Sequence, residues 1–384
     1  MKKIRLANRI DENGLKLFSE NYCCVEEKGD EDAILVRSAN LLEEEFPSSL
    51  LAIARAGAGV NNIPIQRCTD KGIAVFNTPG ANANAVKELT LCGLFLSSRD
   101  IVQGIDWVKQ LEDEKDFSKK IEKGKSSFVG PEILSKKLGV IGLGAIGVLV
   151  ANAAVKLGME VYGYDPYISV NSAWSLSKWV KHVTSIDELF NECDYITLHL
   201  PYNEQTRNTI DEEAIRKMKD GVRILNFARG ELVDEKALIE ALNAGKVARY
   251  ITDFGSYGLA HQEHAICLPH LGASTPESEE NCAVMAVKEL QDYLESGNIA
   301  NSVNLPNISE PRSTTHRICI IHKNVPNMLA QLTAIIGSYH INIENMVNKA
   351  RGDVAYTMID TNSEVSSEDF ASIENIIRVR IIGE

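Results

Sequence analysis

No stretch of this 384-residue chain approaches the ~20 consecutive apolar residues that a membrane-crossing helix needs, so no membrane partner is expected. A secretory signal is missing too. Met1-Lys2-Lys3-Ile4-Arg5-Leu6-Ala7 turns polar at once and reads as a first strand, which makes a cytoplasmic location the expectation. Basic residues are in deficit, with 40 Lys and Arg against 53 Asp and Glu and a net charge of −13. A chain of that sign has no general grip on nucleic acid, although a local pair of arginines can still hold a small anion. The eight cysteines, at 23, 24, 68, 92, 193, 267, 282 and 319, fall in no metal-ligand spacing and read as reduced thiols, with no metal expected. Tandem repeats and low-complexity tracts are also absent.

What is present is an ordinary globular composition, 44% hydrophobic and 24% charged, in a chain too long for one core, so two or three domains are expected. Strand-like apolar runs at 33–36, 52–55, 73–77, 139–142, 160–164, 195–200, 223–226 and 250–253 alternate with helical segments. That alternation predicts α/β architecture with parallel sheets. One long helical pattern covers 85–110, and a lysine-rich stretch at 113–137 reads as an exposed connector. A second linker is expected at 301–315. Beyond it the tail has its own rhythm: strand 317–321, helix 328–338, strands 341–347 and 354–360, then a last helix and strand.

The strongest local motif is Leu138-Gly139-Val140-Ile141-Gly142-Leu143-Gly144-Ala145-Ile146-Gly147, an apolar strand running into Gly-x-Gly-x-x-Gly. Gly142 permits the tight turn, Gly144 lets the backbone approach a pyrophosphate, and Gly147 allows close helix–strand packing. A small-residue helix follows, and its N-terminus favours phosphate. The next strand ends at Asp165, placed to accept hydrogen bonds from ribose hydroxyls and to repel a 2′-phosphate, so NAD is expected rather than NADP. Because the motif starts at residue 142, the preceding region must be another domain, one that brings a substrate to the cofactor.

Four further motifs occur in order: Arg55-Ala56-Gly57-Ala58-Gly59-Val60, Val75-Phe76-Asn77-Thr78-Pro79-Gly80, Leu225-Asn226-Phe227-Ala228-Arg229-Gly230 and Pro269-His270-Leu271-Gly272-Ala273-Ser274-Thr275. With the glycine motif they resemble the D-2-hydroxyacid dehydrogenases over about residues 1–305. The tail, with His322-Lys323-Asn324-Val325-Pro326-Asn327 and His340-Ile341-Asn342-Ile343, resembles an ACT domain, a small amino-acid-sensing module. The resemblance implies a Rossmann-type NAD-binding domain (99–285) inserted in a flavodoxin-like α/β substrate domain (1–98 and 286–304), followed by a βαββαβ, ferredoxin-like ACT domain (314–384).

The activity implied is NAD-dependent hydride transfer to or from a small anionic 2-hydroxy acid, with 3-phosphoglycerate favoured by the sensor-like tail. Rival readings are a glyoxylate or hydroxypyruvate reductase and a non-catalytic NAD-sensing protein. By the resemblance, Arg229 holds the substrate carboxylate and C2 oxygen, and His270 exchanges the hydroxyl proton, a role that suits a group titrating near neutrality. Cofactor contacts are expected from Thr78, Gly142, Gly144, Ala145, Ile146, Gly147, Asp165, Leu200, Pro201, Phe227, Ala228, Asp253 and Gly272. Substrate contacts are expected from Arg37, Ser38, Arg55 and Asn82, with Lys123 or Lys125 as outlying candidates.

One departure stands out. The family carries a carboxylate about five residues after the position of Asp253, whereas this chain reads Asp253-Phe254-Gly255-Ser256-Tyr257-Gly258. Glu263 is the expected stand-in, with Tyr257 a lesser one. In the tail, His322, Asn324 and Asn342 match effector positions for L-serine, although Asn327 stands where the module usually has glycine. A homo-oligomer, dimer or tetramer, is expected.

Overall fold

The computed structural model describes residues 1–112 and 115–383, and they form two compact units. The first comprises Met1–Asn82 and the chain from Pro276 onward; the second is Ala83–Thr275. The expected domain boundaries near 98 and 286 fall at the end of one helix, Ala83–Ser98, and inside another, Pro276–Ser296; the units divide at the starts of those helices. No described helix is long and apolar enough to cross a membrane, all eight cysteines are free, and no metal-holding cluster occurs among the described residues.

The first unit is built on β1 (Lys2–Leu6), β2 (Tyr22–Val25), β3 (Ala33–Val36), β4 (Ala52–Arg55) and β5 (Ala74–Asn77). All are parallel, in the order β2-β1-β3-β4-β5, the doubly wound order of flavodoxin-like sheets. Strands with both faces covered need unbroken apolar runs, and Ala33-Ile34-Leu35-Val36 is buried throughout. One face is covered by Ala283, Ala286, Val287, Leu290 and Leu294 of helix Pro276–Ser296.

The first half of the segment expected as a second linker, 302–308, is mostly buried instead. Its Val303 N–H donates to the Val75 carbonyl at 2.8 Å, and the Asn304 side chain accepts from Val75 N–H at 2.9 Å while donating to the Ile73 carbonyl at 2.9 Å. It therefore finishes the edge of β5 rather than tethering a free domain.

The tail forms an antiparallel sheet of β13 (His316–Lys323), β14 (Ile343–Arg351), β15 (Val354–Thr361) and β16 (Ile376–Ile382), ordered β14-β15-β13-β16. Ile318, Ile320 and Ile359 on one face pack with Leu332 and Ile336 of helix Met328–Ser338. The expected last helix is only a 3-10 turn, Ser367–Phe370, closed by a capping box between Ser366 and Asp369. On the other face, Cys319, Ile321, Tyr356, Met358 and Ile382 belong to the same core as Tyr293, Leu294 and Ile299 of the first unit. The fully buried Arg317 ties the two together. Its guanidinium pairs with Asp360 at 2.6 and 2.9 Å and donates to the carbonyls of Ser296, Glu310 and Pro311.

The second unit carries β6 (Lys137–Ile141), β7 (Glu160–Tyr164), β8 (Lys181–His182), β9 (Tyr195–Leu198), β10 (Val222–Asn226), β11 (Val247–Thr252) and β12 (Ala265–Cys267). All are parallel in the order β12-β11-β10-β9-β6-β7-β8, a Rossmann-type sheet whose strand order reverses beside β6. The helical pattern expected over 85–110 breaks into Ala83–Ser98 and Ile101–Lys109, and Asp100 at the break pairs with Arg249. The exposed connector expected at 113–137 holds helix Phe117–Gly124 and the turn Lys125–Phe128, with Trp107 against Phe128. Its first two residues lie outside those described. Among its lysines, Lys119 pairs with Asp116 and Lys125 with Glu122.

Candidate active site

In a parallel sheet every strand delivers its following loop to the same edge, so the carboxyl edge of the second unit gathers loops far apart in sequence. The loop after β6 turns at Gly142, where φ is +91°, and a side chain there would run into His199. A Cβ at Gly147 would collide with the Gly142 carbonyl, so this glycine is required by the turn itself. Above Gly144 the space is open, which leaves the backbone approachable, and Ala145 and Ile146 start helix Ala145–Lys156. Asp165, after β7, accepts from Leu143 N–H at 2.8 Å and Tyr167 N–H at 2.9 Å, fixing its carboxylate on the rim of the loop. Leu200 packs beside Gly142, and Pro201 follows at the same edge. His199, after β9, shares a 3.0 Å hydrogen bond with Thr197 Oγ1 through Nε2, while its Nδ1 is buried without a partner. Burial pushes this imidazole down to about 3, so it is neutral.

The ends of β10, β11 and β12 form the second cluster. Asn226 shapes the turn after β10: its amide donates to the Arg229 carbonyl at 2.8 Å and its Oδ1 accepts from Ala228 N–H at 3.1 Å. Phe227 is buried against Gly93 and anchors the turn. Thr252 at the end of β11 donates to the Asn226 carbonyl at 2.8 Å and accepts from Phe254 N–H at 3.0 Å, knitting the two strand ends together. Arg229 is half-buried and donates to the Ala228 carbonyl at 2.6 Å; its guanidinium carbon lies 5.8 Å from the Phe254 ring centre. His270, after β12, is exposed, with its ring 4.5 Å from that of Phe254 at 50°. Asp253 is buried and accepts from Gly272 N–H at 3.0 Å through Oδ2, whereas Oδ1 has no partner. Burial raises its carboxyl above the usual range, opposed by the Gly272 N–H and the nearby His270 and Arg229 charges. Sequence reasoning missed Asn226, Thr252 and Phe254, whose roles arise only when three strand ends meet.

Glu263 is corrected by this geometry. It precedes β12 and lies at the amino edge, where its carbonyl accepts from Arg249, whereas His270 follows β12 at the carboxyl edge. The six residues between them include the strand, so the two sit at opposite ends of it. Tyr257 is also turned away, exposed and stacked on His261 at 4.2 Å. The acid nearest the Gly258 position is Glu235, whose Oε1 would lie 2.9 Å from a Cβ there; Glu235 accepts from Ser256 Oγ at 2.6 Å.

In the first unit, the carboxyl edge brings together the polar ends of β1, β3 and β4. Asn8 Oδ1 accepts from the backbone N–H groups of Arg37, Ser38 and Ala39 at 3.0, 2.9 and 2.8 Å. Arg37 pairs with Glu279 at 2.8 Å, and Arg55 donates through Nε to the Arg37 carbonyl at 3.0 Å. Thr78, after β5, is buried with Oγ1 unpartnered, and Asn82 ends the segment, half-buried.

The tail residues are not brought together within one chain. His322 is buried, with Nδ1 on the Lys323 carbonyl and Nε2 on Thr357 Oγ1, both at 2.8 Å, so neither nitrogen is free for an effector. Asn324 follows β13 and bonds the Gly352 carbonyl, while Asn342 precedes β14 and bonds Glu344. β13 and β14 both run antiparallel to β15, and the register puts Asn324 and Asn342 at opposite ends of the sheet. Asn327 adopts a left-handed φ of 69° at the start of helix Met328–Ser338, a conformation that asparagine tolerates where glycine is usual.

Comparison with known proteins follows the same division. Residues 94–272 match the family model of the D-isomer specific 2-hydroxyacid dehydrogenase, NAD binding domain. The chain is 35% identical over 332 residues to the D-3-phosphoglycerate dehydrogenase of Methanocaldococcus jannaschii, covering 81% of this chain and 61% of that protein. It is 38% identical over 271 residues to the hydroxypyruvate reductase of Thermotoga maritima, covering 67% of this chain and 83% of that one. A crystal structure of NAD+-bound 3-phosphoglycerate dehydrogenase from Entamoeba histolytica superposes with a TM-score of 0.62 at 29% identity, covering 79% of this chain and 98% of that one. The chain thus spans only about three fifths of the length of the Methanocaldococcus protein.

Proposed function

This chain belongs to the D-isomer-specific 2-hydroxyacid dehydrogenases, and on that premise we propose that it oxidises 3-phospho-D-glycerate to 3-phosphohydroxypyruvate with NAD, and catalyses the reverse. The carrying observation is the grouping of Arg229, Asp253 and His270 at the carboxyl edge that also holds the glycine loop and Asp165. The residues fit NAD. Open space above Gly144 and a helix N-terminus receive the pyrophosphate, Asp165 receives the ribose hydroxyls, and the unpartnered Asp253 Oδ1 is an acceptor for the carboxamide. NAD, when bound, accepts the hydride from C2.

The chain's own groups do the rest. Arg229 holds the carboxylate and C2 oxygen in a fork and stabilises negative charge there. His270 takes the C2 hydroxyl proton as the carbon–oxygen double bond forms, and returns it in reduction. Arg37, Ser38, Arg55 and Asn82 supply the phosphate end from the first unit. The tail acts as an ACT-type sensor of L-serine in a homo-oligomer. An effector touching both Asn324 and Asn342 then needs residues from two copies, because one chain holds them at opposite ends of the sheet.

A second reading, hydroxypyruvate or glyoxylate reduction, draws on the Thermotoga relative, of which the chain covers the larger share. NADH oxidation with 3-phosphohydroxypyruvate, hydroxypyruvate and glyoxylate, each with and without L-serine, separates the two. Higher kcat/KM for the phosphorylated acid supports the first reading, and preference for hydroxypyruvate overturns it. No turnover of any of them, with NADH still bound, would favour a cofactor-sensing protein.

A further inference from the structure

The two side chains assigned to the proposed chemistry share one neighbour. The Phe254 ring lies 4.5 Å from the His270 ring and 5.8 Å from the guanidinium carbon of Arg229. Tilted rings roughly 4.5–7 Å apart attract through complementary charge on ring face and ring edge, and a guanidinium within about 6 Å of a ring centre is drawn to the same π cloud. The neighbouring Asp253 acts on the imidazole through its charge, without a hydrogen bond. Among the described residues no carboxylate hydrogen-bonds or ion-pairs with His270. Asp253 accepts from the Gly272 N–H through Oδ2 while Oδ1 is unpartnered, Glu235 accepts from Ser256, and Glu263 lies at the other end of β12.

Phe254 itself is well placed to orient others. Its N–H donates to Thr252 Oγ1, which donates in turn to the Asn226 carbonyl, so the base of the ring is fixed to both β10 and β11.

We propose that Phe254 is the positioning residue for His270, holding the imidazole by tilted ring contact and bridging it to Arg229 where no carboxylate hydrogen-bonds to the ring. The inference rests on the dehydrogenase reading and deepens it. A π face stabilises an imidazolium without neutralising it, and a neutral ring, unlike a carboxylate, does not compete with substrate for Arg229. The cost is precision, because a tilted ring contact fixes the ring plane less strictly than a hydrogen bond fixes a nitrogen.

The test uses the full chain and three variants, Phe254→Leu, Phe254→Tyr and Glu235→Ala, with 3-phosphohydroxypyruvate and NADH. Leucine keeps apolar volume but removes the π face. It should lower kcat about 10- to 100-fold, the range expected when a catalytic group is misplaced by an ångström, while NADH affinity and Tm hold. Tyrosine should keep kcat within about threefold, and so should Glu235→Ala. Wild-type kcat in Phe254→Leu, an equal fall in the leucine and tyrosine variants, or a larger loss from Glu235→Ala would each overturn the proposal.

A second readout needs no turnover. The contact places the His270 ring protons in the ring current of Phe254, so one histidine resonance, assigned by its loss in His270→Asn, should be displaced from the ordinary range and return to it in Phe254→Leu. An unshifted resonance in the wild type overturns the contact whatever the enzyme does. A shifted one in a chain without activity upholds the contact and sinks the function instead.

Discussion

The carboxyl edges of the two parallel sheets are built alike and finished differently. In the second unit the edge leaves polar atoms open: Asp253 Oδ1 and His199 Nδ1 are buried without partners, and among the described residues Arg229 donates to a neighbouring carbonyl. In the first unit most of the polar groups are already engaged, with three backbone N–H groups on Asn8 Oδ1, Arg37 on Glu279, and Arg55 on the Arg37 carbonyl, although Thr78 Oγ1 is unpartnered. A ligand of the second edge fills vacancies. A ligand of the first must exchange bonds, so its net gain per contact is smaller.

The largest effect that would sharpen this contrast is loss of the proton carrier. We expect His270→Ala to lower kcat by about 10²–10⁴-fold with NADH affinity unchanged, measured by stopped-flow turnover and NADH fluorescence; parallel loss of both would break the assignment. Arg229→Lys comes next. A point charge replaces a planar fork, so kcat/KM for the keto acid should fall about 100-fold, mostly in kcat. If only KM rose, Arg229 would be a binding group and the contrast would blur.

On the first edge, Glu279→Gln frees Arg37 from a half-exposed pair and should lower KM for the phosphorylated acid by no more than about threefold, with kcat unchanged. A rise in KM would show that Glu279 orients Arg37 rather than occupies it.

The smallest expected effect is on stability against pH, and the two units carry opposite signs. Burial raises the Glu289 carboxyl in the first unit to about 8. Between the ordinary glutamate range and about 8 the folded chain holds a proton that the unfolded chain has released, so stability falls as pH rises through that window. His199 in the second unit, lowered to about 3, lacks a proton that the unfolded chain binds below its ordinary range, so stability falls as pH drops from about 6.5 towards 3. Melting across pH should show Glu289→Gln flattening the alkaline slope only. An unchanged slope would mean Glu289 is ionised in the fold.

Much of the second unit was legible in sequence because its signals are local. The glycine loop, the helix after it and Asp165 lie within one strand–helix–strand run, and strand limits such as Glu160–Tyr164 follow from apolar patterning alone. Glu263 was misread for the converse reason. Seven residues look close to His270 on paper, but an extended strand between them carries them apart. Phe254 carried no signal, since an aromatic after a strand is ordinarily packing, and its meaning depends on Arg229 and His270 arriving from two other strands. In the tail, Ile318-Cys319-Ile320-Ile321 did carry a signal that the reading as a separate module passed over: a run apolar on both faces needs two partners.

That two-sided strand bears on how such a chain can be cut or inherited. The face carrying Cys319, Ile321, Tyr356 and Met358 is the inner wall of the first unit, not the outside of an appended sensor. A truncation near residue 310 would strip that wall and expose apolar surface fit for aggregation, so the shortened protein should be recovered insoluble rather than as a deregulated enzyme. The tail is held as masonry is held, and an ancestor that gained it could not afterwards shed it without resurfacing the part beneath.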